Sequence, residues 1–192
     1  MLDNIAFKYG LGSAGIWILT KLLVFFLGYS IDWIDGILMF NNFMLILVIA
    51  LAIFNTKRKV NFVDVPKRED IKIGIKTGMI YTILVSTFTY FYNSNIDTSV
   101  LNSKITQRLE QFDMALSQEQ GIKRYKESNP QSLSLTKEQI LVKEREATVN
   151  FLNPRVSTLL LLMFFTLLSV FYSAFITLVI RKIYMPGVQS RR

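Results

Sequence analysis

A lysine inside an apolar segment is the residue with the most distinctive chemistry in this chain. Lys21 interrupts GIWILTKLLVFF, residues 15–26. An ammonium group at the centre of a bilayer costs about 2.5–3.5 kcal/mol on insertion scales, so such a residue marks a functional hypothesis by default. Three interpretations stay open: a structural lysine held by hydroxyls, carbonyls or water, a lysine neutralised by burial, or a lysine paired with an external anion. That anion is a lipid phosphate or an acidic residue of another subunit.

Small residues share a helical stripe with this lysine. The stripe runs through Gly10, Ala14, Trp17, Lys21, Val24 and Gly28. Small side chains let a second helix approach closely in a membrane, so Gly10, Ala14 and Gly28 form a predicted packing stripe and Lys21 is expected to face protein. Polar residues predicted near its depth, or somewhat further out, are the candidate contacts: Tyr81, Thr82, Thr166, Asn41 and Asn42.

The residue types that are missing exclude several kinds of catalysis. The chain has no cysteine and no histidine. It therefore lacks the Ser-His-Asp and Cys-His arrangements, and we expect no metal site and no cofactor. The predicted spans contain no carboxylate, which argues against a proton- or sodium-coupled carrier. Asp32 and Asp35 are too few ligands for calcium, and we expect a hydrated turn there.

Long apolar runs predict the fold class. The 192 residues are 51% hydrophobic, with a mean hydropathy of +0.35. A helix needs roughly 17 to 25 residues to cross about 30 Å of hydrocarbon. Runs near that length predict an all-α integral membrane protein with four transmembrane helices, at residues 11–31, 37–54, 75–92 and 156–180.

The distribution of basic residues predicts the orientation. The loop at 55–74 and its edge carry Lys57, Arg58, Lys59, Lys67, Arg68, Lys72 and Lys76. The positive-inside rule places this loop, and with it both termini, in the cytoplasm. Attraction of these basic residues to anionic lipid accounts for the positive net charge of the chain, so no nucleic-acid partner is expected.

Residues 93–155 are predicted to form a helical hairpin outside the cytoplasm. Apolar residues with the spacing of one helix face are Leu101, Ile105, Leu109, Phe112 and Leu116. This helix should begin near residues 97–99 and stop by Gly121. A polar linker, GIKRYKESNPQSLS, follows, and Thr136 with Gln139 has capping-box spacing for the second helix. Asn153 and Pro154 should open the last span. Self-packing of the two helices is preferred over docking of a partner helix.

The order of these pieces resembles that of a known family. KYGLGSAGI at the start, REDIKIGIKTGMIYTIL entering the third span and YFYNSNIDTSVL after it resemble an inner-membrane family of Bacteroidota catalogued as domain of unknown function 4199. One departure is Thr98-Ser99, where the family tends to have a proline soon after the aspartate. The resemblance implies a Gram-negative envelope protein, often encoded beside a membrane-associated glycosyltransferase, and no catalytic residue.

The function predicted from these features is non-enzymatic. We expect an accessory or scaffold subunit of a cell-envelope complex in the bacterial inner membrane, with another envelope membrane protein or a second copy of the chain as partner. The alternative is binding or handling of an anionic lipid, such as a polyprenyl phosphate, with Lys21 at the phosphate. A membrane enzyme ranks third.

Overall fold

A computed structural model describes residues 2–62 and 66–184, where all regular secondary structure is helical. A π-helical turn, Tyr92–Ile96, follows the third helix, and a 3-10 turn, Pro130–Ser132, precedes the sixth. The α-helices are α1 (Leu2–Phe26), α2 (Ile34–Lys59), α3 (Lys67–Phe91), α4 (Ser99–Leu116), α5 (Glu119–Ser128), α6 (Lys137–Phe151) and α7 (Pro154–Tyr184). The chain divides into two compact units, residues 1–91 with 158–192 and residues 92–157. We call them the bundle unit and the inserted unit.

Four of these helices are long and apolar enough to cross a membrane. They are the segments Asn4–Phe26, Ile34–Lys59, Lys67–Ile96 and Pro154–Tyr184, with mean hydropathies of 1.5, 2.6, 1.2 and 2.4. Their outward side chains are largely apolar, including Leu19 and Leu167. The predicted all-helical chain with four membrane-length helices is therefore confirmed, and the protein is a membrane protein by these features.

The first span ends earlier than predicted. Gly28 has a φ of 78°. Its N–H donates to the Phe25 carbonyl at 2.9 Å, and the Tyr29 N–H donates to the Val24 carbonyl at 3.0 Å. These two bonds form a Schellman motif, which ends α1 at Phe26 although the apolar run continues. Lys21 consequently lies five positions before the end of its helix.

The helix that carries the third span begins before the apolar run, and its first turn contains carboxylates. α3 starts at Lys67, whereas the apolar run starts at Ile75. Glu69 and Asp70 lie in its first turn, where the helix dipole favours negative charge. Asp70 is buried. The predicted spans themselves contain no acidic residue, but the helix that carries the third span extends beyond the apolar run to include Glu69 and Asp70.

In the bundle unit, α1 and α3 run in the same direction and pack closely. A Cβ added to Gly10 would lie 2.9 Å from Ile80 Cγ2, and the rings of Trp17 and Phe88 are 6.1 Å apart. Residue numbers rise together along α1 and α3 at this contact, so the two helices are parallel. The glycine therefore allows the approach for which the stripe was predicted.

Glycines of α3 face serines of α7. A Cβ added to Gly74 would lie 2.6 Å from Ser173 Oγ, and one added to Gly78 would lie 2.6 Å from Ser169 Oγ. Isoleucines of α2 contact the same glycines at 3.0 and 3.1 Å. Residue numbers rise on α3 as they fall on α2 and α7, so both helices are antiparallel to α3. We call this contact of α3 with α7 the glycine–serine seam.

The inserted unit contains three helices, not two. α5 occupies much of the predicted polar linker. It packs through Tyr125, whose ring lies 5.4 Å from that of Phe112 and whose hydroxyl donates to Glu144 Oε1 at 2.8 Å. α4 ends at Leu116, and Gly121 lies in α5, where an added Cβ would be 1.8 Å from the Ala115 carbonyl oxygen. The linker prediction failed because a single aromatic residue anchors a short helix of polar composition.

The predicted start of α4 is confirmed, and an aspartate caps its N-terminus. Asp97 Oδ1 accepts hydrogen bonds from the N–H and the hydroxyl of Ser99, while its Oδ2 accepts one from the Tyr92 hydroxyl at 2.9 Å. The carboxylate thus satisfies an otherwise unbonded amide at the helix N-terminus. α4 begins at Ser99, within the predicted range.

The predicted capping box at the start of α6 is present. Gln139 N–H donates to Thr136 Oγ1 at 3.3 Å, and Thr136 N–H donates to Gln139 Oε1 at 2.9 Å. Asn153 likewise caps α7, because its Oδ1 accepts from the Arg155 N–H at 2.9 Å. Both helix starts were readable from sequence because caps depend on local spacing.

Removing the Thr136 cap should destabilise the start of α6. Thr136→Ala removes the acceptor for the Gln139 amide and is expected to cost about 1 kcal/mol. Hydrogen exchange of the full-length protein in detergent should show faster exchange confined to the first turn of α6. Ser134→Ala, at an exposed position outside the cap, is the control. Equal exchange in both variants would contradict the assigned cap.

Candidate functional site

A buried cluster of charged side chains lies at one end of the bundle unit. Asp70 Oδ2 lies 3.0 Å from Lys57 Nζ. The same oxygen accepts a hydrogen bond from Arg181 Nε at 2.9 Å and also lies 2.9 Å from Arg181 Nη2. The exposed fractions are 1% for Asp70, 0% for Lys57 and 7% for Arg181. We call these residues the ion cluster. It joins α2, α3 and α7.

Helix ends position each member of the cluster. Asp70 lies in the first turn of α3, whereas Lys57 and Arg181 lie in the last turns of α2 and α7. A helix N-terminus favours a carboxylate, and a C-terminus favours a cation. All three charges therefore sit where their own helix stabilises them, which lowers the cost of their burial.

Lys57 is held by charge more than by a directed hydrogen bond. Its ammonium is at ion-pair distance from Asp70, yet the contact lacks hydrogen-bond alignment. The same carboxylate oxygen also serves the Arg181 guanidinium. A buried cation so held depends strongly on its carboxylate, because the low dielectric of the interior strengthens the attraction and penalises its loss.

Aromatic rings cover the same end of the bundle unit. The ring of Phe62 stacks on that of Tyr184 at 5.3 Å with a 17° interplanar angle, and Phe54 lies 5.9 and 5.5 Å from these two rings. Asn61 and Phe62 have φ values of 49° and 56°. Positive φ is uncommon for a bulky residue. The Phe62 N–H donates to the Lys57 carbonyl at 2.9 Å, so the turn folds back over the end of α2.

Lys21 is buried in the bundle unit, and its level along α1 differs from that of Thr82, one of its predicted neighbours. It is 8% exposed, and it takes part in an interaction within the protein. Facing residues of α1 and α3 differ in number by about 70, so Thr82 is level with about residue 12 of α1. At 1.5 Å per residue this is roughly 14 Å from the level of Lys21. This separation exceeds the reach of a lysine side chain, so Thr82 is not a direct contact of Lys21.

The residues of the predicted packing stripe lie in two different environments. Ala14 and Trp17 are buried, and Gly10 contacts α3. Gly28 lies beyond the end of α1, and nothing lies within 4 Å of its added Cβ. Its role is to end the helix, not to pack against another one. The error follows from extending the first span past the Schellman motif.

The two asparagines form hydrogen bonds between helices. Tyr81 of α3 donates to Asn41 Oδ1 at 2.6 Å, and Tyr172 of α7 donates to Asn42 Oδ1 at 3.0 Å. Thr166 donates instead to the Leu162 carbonyl of its own helix at 2.7 Å. Thr82 Oγ1 is buried and has no hydrogen-bond partner within residues 2–62 and 66–184. The structure thus brings together α2 with α3 and α2 with α7 through amide oxygens.

Removing the Tyr81 hydroxyl should weaken this contact. Tyr81→Phe leaves Asn41 Oδ1 without its donor and is expected to cost roughly 0.5–2 kcal/mol, the range for such bonds in membranes. Reversible unfolding in mixed micelles would measure it. Tyr29→Phe, at a half-exposed position in the turn after α1, should have no effect. Equal stability of the two variants would contradict the role of the Asn41 bond.

Sequence reasoning missed the ion cluster, although a signal for it existed. Asp70, Gly74 and Gly78 recur every four residues, so one helix face continues outward from the apolar run. Continuing that period would have placed Asp70 on the buried face of α3. Lys57 and Arg181 carried no comparable signal, because each is followed by another basic residue, Arg58 or Lys182, that is exposed.

Metal ligation has no support in the described ranges. No three carboxylates in 2–62 and 66–184 lie close enough together to share an ion. Asp32 and Asp35 are both exposed, near the turn between α1 and α2. The arrangement at the ion cluster is suited to fixing helices and holding charge, because its carboxylate is occupied by cationic side chains.

Comparisons with protein-family models, curated proteins and solved structures give no match. Membership of the family catalogued as domain of unknown function 4199 therefore stays a prediction.

Proposed function

We propose that this chain is a non-enzymatic accessory or scaffold subunit of a cell-envelope complex in the bacterial inner membrane. Both termini are cytoplasmic in this proposal, and residues 93–155 project on the other side with α4 and α6 as the arms of a helical hairpin. The basic residues at the end of α2 and the start of α3 support this orientation through the positive-inside rule. The resemblance to the Bacteroidota family supports the envelope location and makes a membrane glycosyltransferase a candidate partner.

The observation that carries the proposal is the use of polar side chains inside the bundle unit. Asn41 and Asn42 accept from tyrosines of neighbouring helices, and Asp70 is held by two cations. These groups hold one helix against another. A scaffold needs such a fixed bundle, whereas an enzyme or carrier needs polar groups that face a substrate.

The inserted unit offers the surface for a partner. It carries large apolar side chains that remain exposed, namely Met114 of α4 at 65%, Leu133 of the turn before α6 at 63% and Val142 of α6 at 59%. Apolar side chains on an otherwise charged unit are suited to contact with another protein. We expect the envelope partner to bind here.

Native mass spectrometry tests the subunit role. The tagged full-length protein, extracted gently from its own host, should carry a second protein at fixed stoichiometry. Met114→Gln with Val142→Gln should release it, because both side chains are exposed and their loss should not unfold the chain. Lys104→Gln with Lys143→Gln, on the same two helices, is the matched control and should retain it. A chain that carries no protein, or that loses it equally in both variants, would contradict the proposal.

Lys21→Leu separates the subunit role from lipid handling at this lysine. Release of the protein partner without unfolding would place the partner at Lys21, and release of a bound polyprenyl phosphate would support the alternative function. A folded variant that loses neither would leave Lys21 with an internal structural role, in agreement with its burial.

A further inference from the structure

The ion cluster brings many cations to one end of the bundle unit. Because Asp70 binds both Lys57 and Arg181, the end of α2, the start of α3 and the end of α7 lie together. The basic residues that flank these positions in sequence must therefore surround the same end. Sequence alone gives their number but not which of them are neutralised within the chain.

Some of these cations are neutralised internally. Lys57 and Arg181 bind Asp70. Arg68 and Lys72 approach Glu69 Oε1 at 3.6 and 3.0 Å. The carboxylates of Asp70 and Glu69 are therefore already paired with cations at this end of the bundle unit.

Four further cations at this end have no ion pair in the described part of the chain. They are Arg58 and Lys59 at the end of α2, Lys67 at the start of α3 and Lys182 at the end of α7. All are exposed. Their charges are therefore available to an anion outside the protein. We call them the unpaired rim.

We propose that the unpaired rim is a docking surface for the headgroups of anionic phospholipids in the leaflet at this end of the bundle. The rim residues lie at the ends of membrane-length helices, where headgroups are found. Long basic side chains reach from a helix end into that region while their stems stay on apolar surface. The half-exposed Tyr184 lies two positions after Lys182, and tyrosine is favoured at this depth. Charge complementarity thus selects anionic over zwitterionic lipid.

This inference rests on the membrane-spanning helices and not on the scaffold role. Each cation near a membrane surface contributes roughly a fivefold preference for anionic lipid, and salt screens the effect. The partner experiment above can therefore fail while this one succeeds, and the reverse also holds.

The test is lipid selection by the full-length protein in vesicles of equimolar phosphatidylcholine and phosphatidylglycerol. Native mass spectrometry of protein released from these vesicles should show phosphatidylglycerol enriched among the retained lipids. The quadruple variant Arg58→Gln, Lys59→Gln, Lys67→Gln and Lys182→Gln should lose most of this enrichment. Its helices should stay folded by circular dichroism, because none of the four side chains forms an ion pair within the described residues.

A control with the same net charge decides the outcome. Glutamine at the exposed Lys104, Lys123, Arg124 and Arg145 of the inserted unit removes four cations elsewhere. This control should retain the enrichment. Equal loss in both variants, or enrichment unchanged by the rim substitutions, would overturn the proposal. So would binding of inorganic polyphosphate in pure phosphatidylcholine vesicles without any selection of phosphatidylglycerol, since the rim would then serve a soluble polyanion.

Discussion

Asp70→Asn is expected to lower the free energy of unfolding by about 3–5 kcal/mol, as breaking a buried ion pair does by leaving its partner charge uncompensated. Lys57 has no exposed surface, and Asp70 is its ion-pair partner in the described structure. An amide is nearly the size of a carboxylate, so packing is preserved and only the charge is lost. The destabilisation should therefore report the ion cluster itself.

Titration with a denaturing detergent in mixed micelles measures this effect. Glu69→Gln removes the neighbouring charge, which is 40% exposed, and should change stability by less than about 1 kcal/mol. Lys57→Met should cost less in the Asp70→Asn background than in the wild type, because the two residues are coupled. If Asp70→Asn and Glu69→Gln were equally stable, the ion cluster would not hold the bundle unit together.

Gly78→Ala is expected to destabilise the glycine–serine seam by about 1–3 kcal/mol, the cost of overpacking a tight interface. The added methyl group would lie 2.6 Å from Ser169 Oγ and 2.7 Å from Ser169 Cβ. α7 must then move away from α3. Gly74→Ala should behave in the same way against Ser173. The same unfolding titration measures both.

Glycines on open surfaces provide the control for this prediction. Nothing lies within 4 Å of a Cβ added to Gly12 or Gly15 in α1. Alanine at these positions should be neutral or should stabilise by roughly 0.5–1 kcal/mol, because alanine restricts the unfolded chain. Ser169→Gly should partly rescue Gly78→Ala by restoring the space. A stable Gly78→Ala variant without rescue would show that the seam is not tightly packed.

Helix ends show how far local sequence determines this structure. The caps at Thr136 and Asn153 were predicted correctly, because a cap needs only side chains a few residues apart. The end of α1 was missed although its glycine was visible, since an apolar run does not reveal where the chain takes a positive φ. α5 was missed because the contact that anchors it, between Tyr125 and Glu144, spans 19 residues.

The sequence by itself determined that four apolar segments must be helices in lipid, because a bilayer leaves backbone groups no other partner. It also determined the net charge and the residues available for chemistry. Only the tertiary structure decided which charged groups form ion pairs within the chain. Asp70 meets Lys57 and Arg181 across 13 and 111 positions, and Lys57 looks no different in sequence from the exposed Arg58 beside it. Burial and pairing depend on which helix faces meet, and that is a property of packing, not of composition.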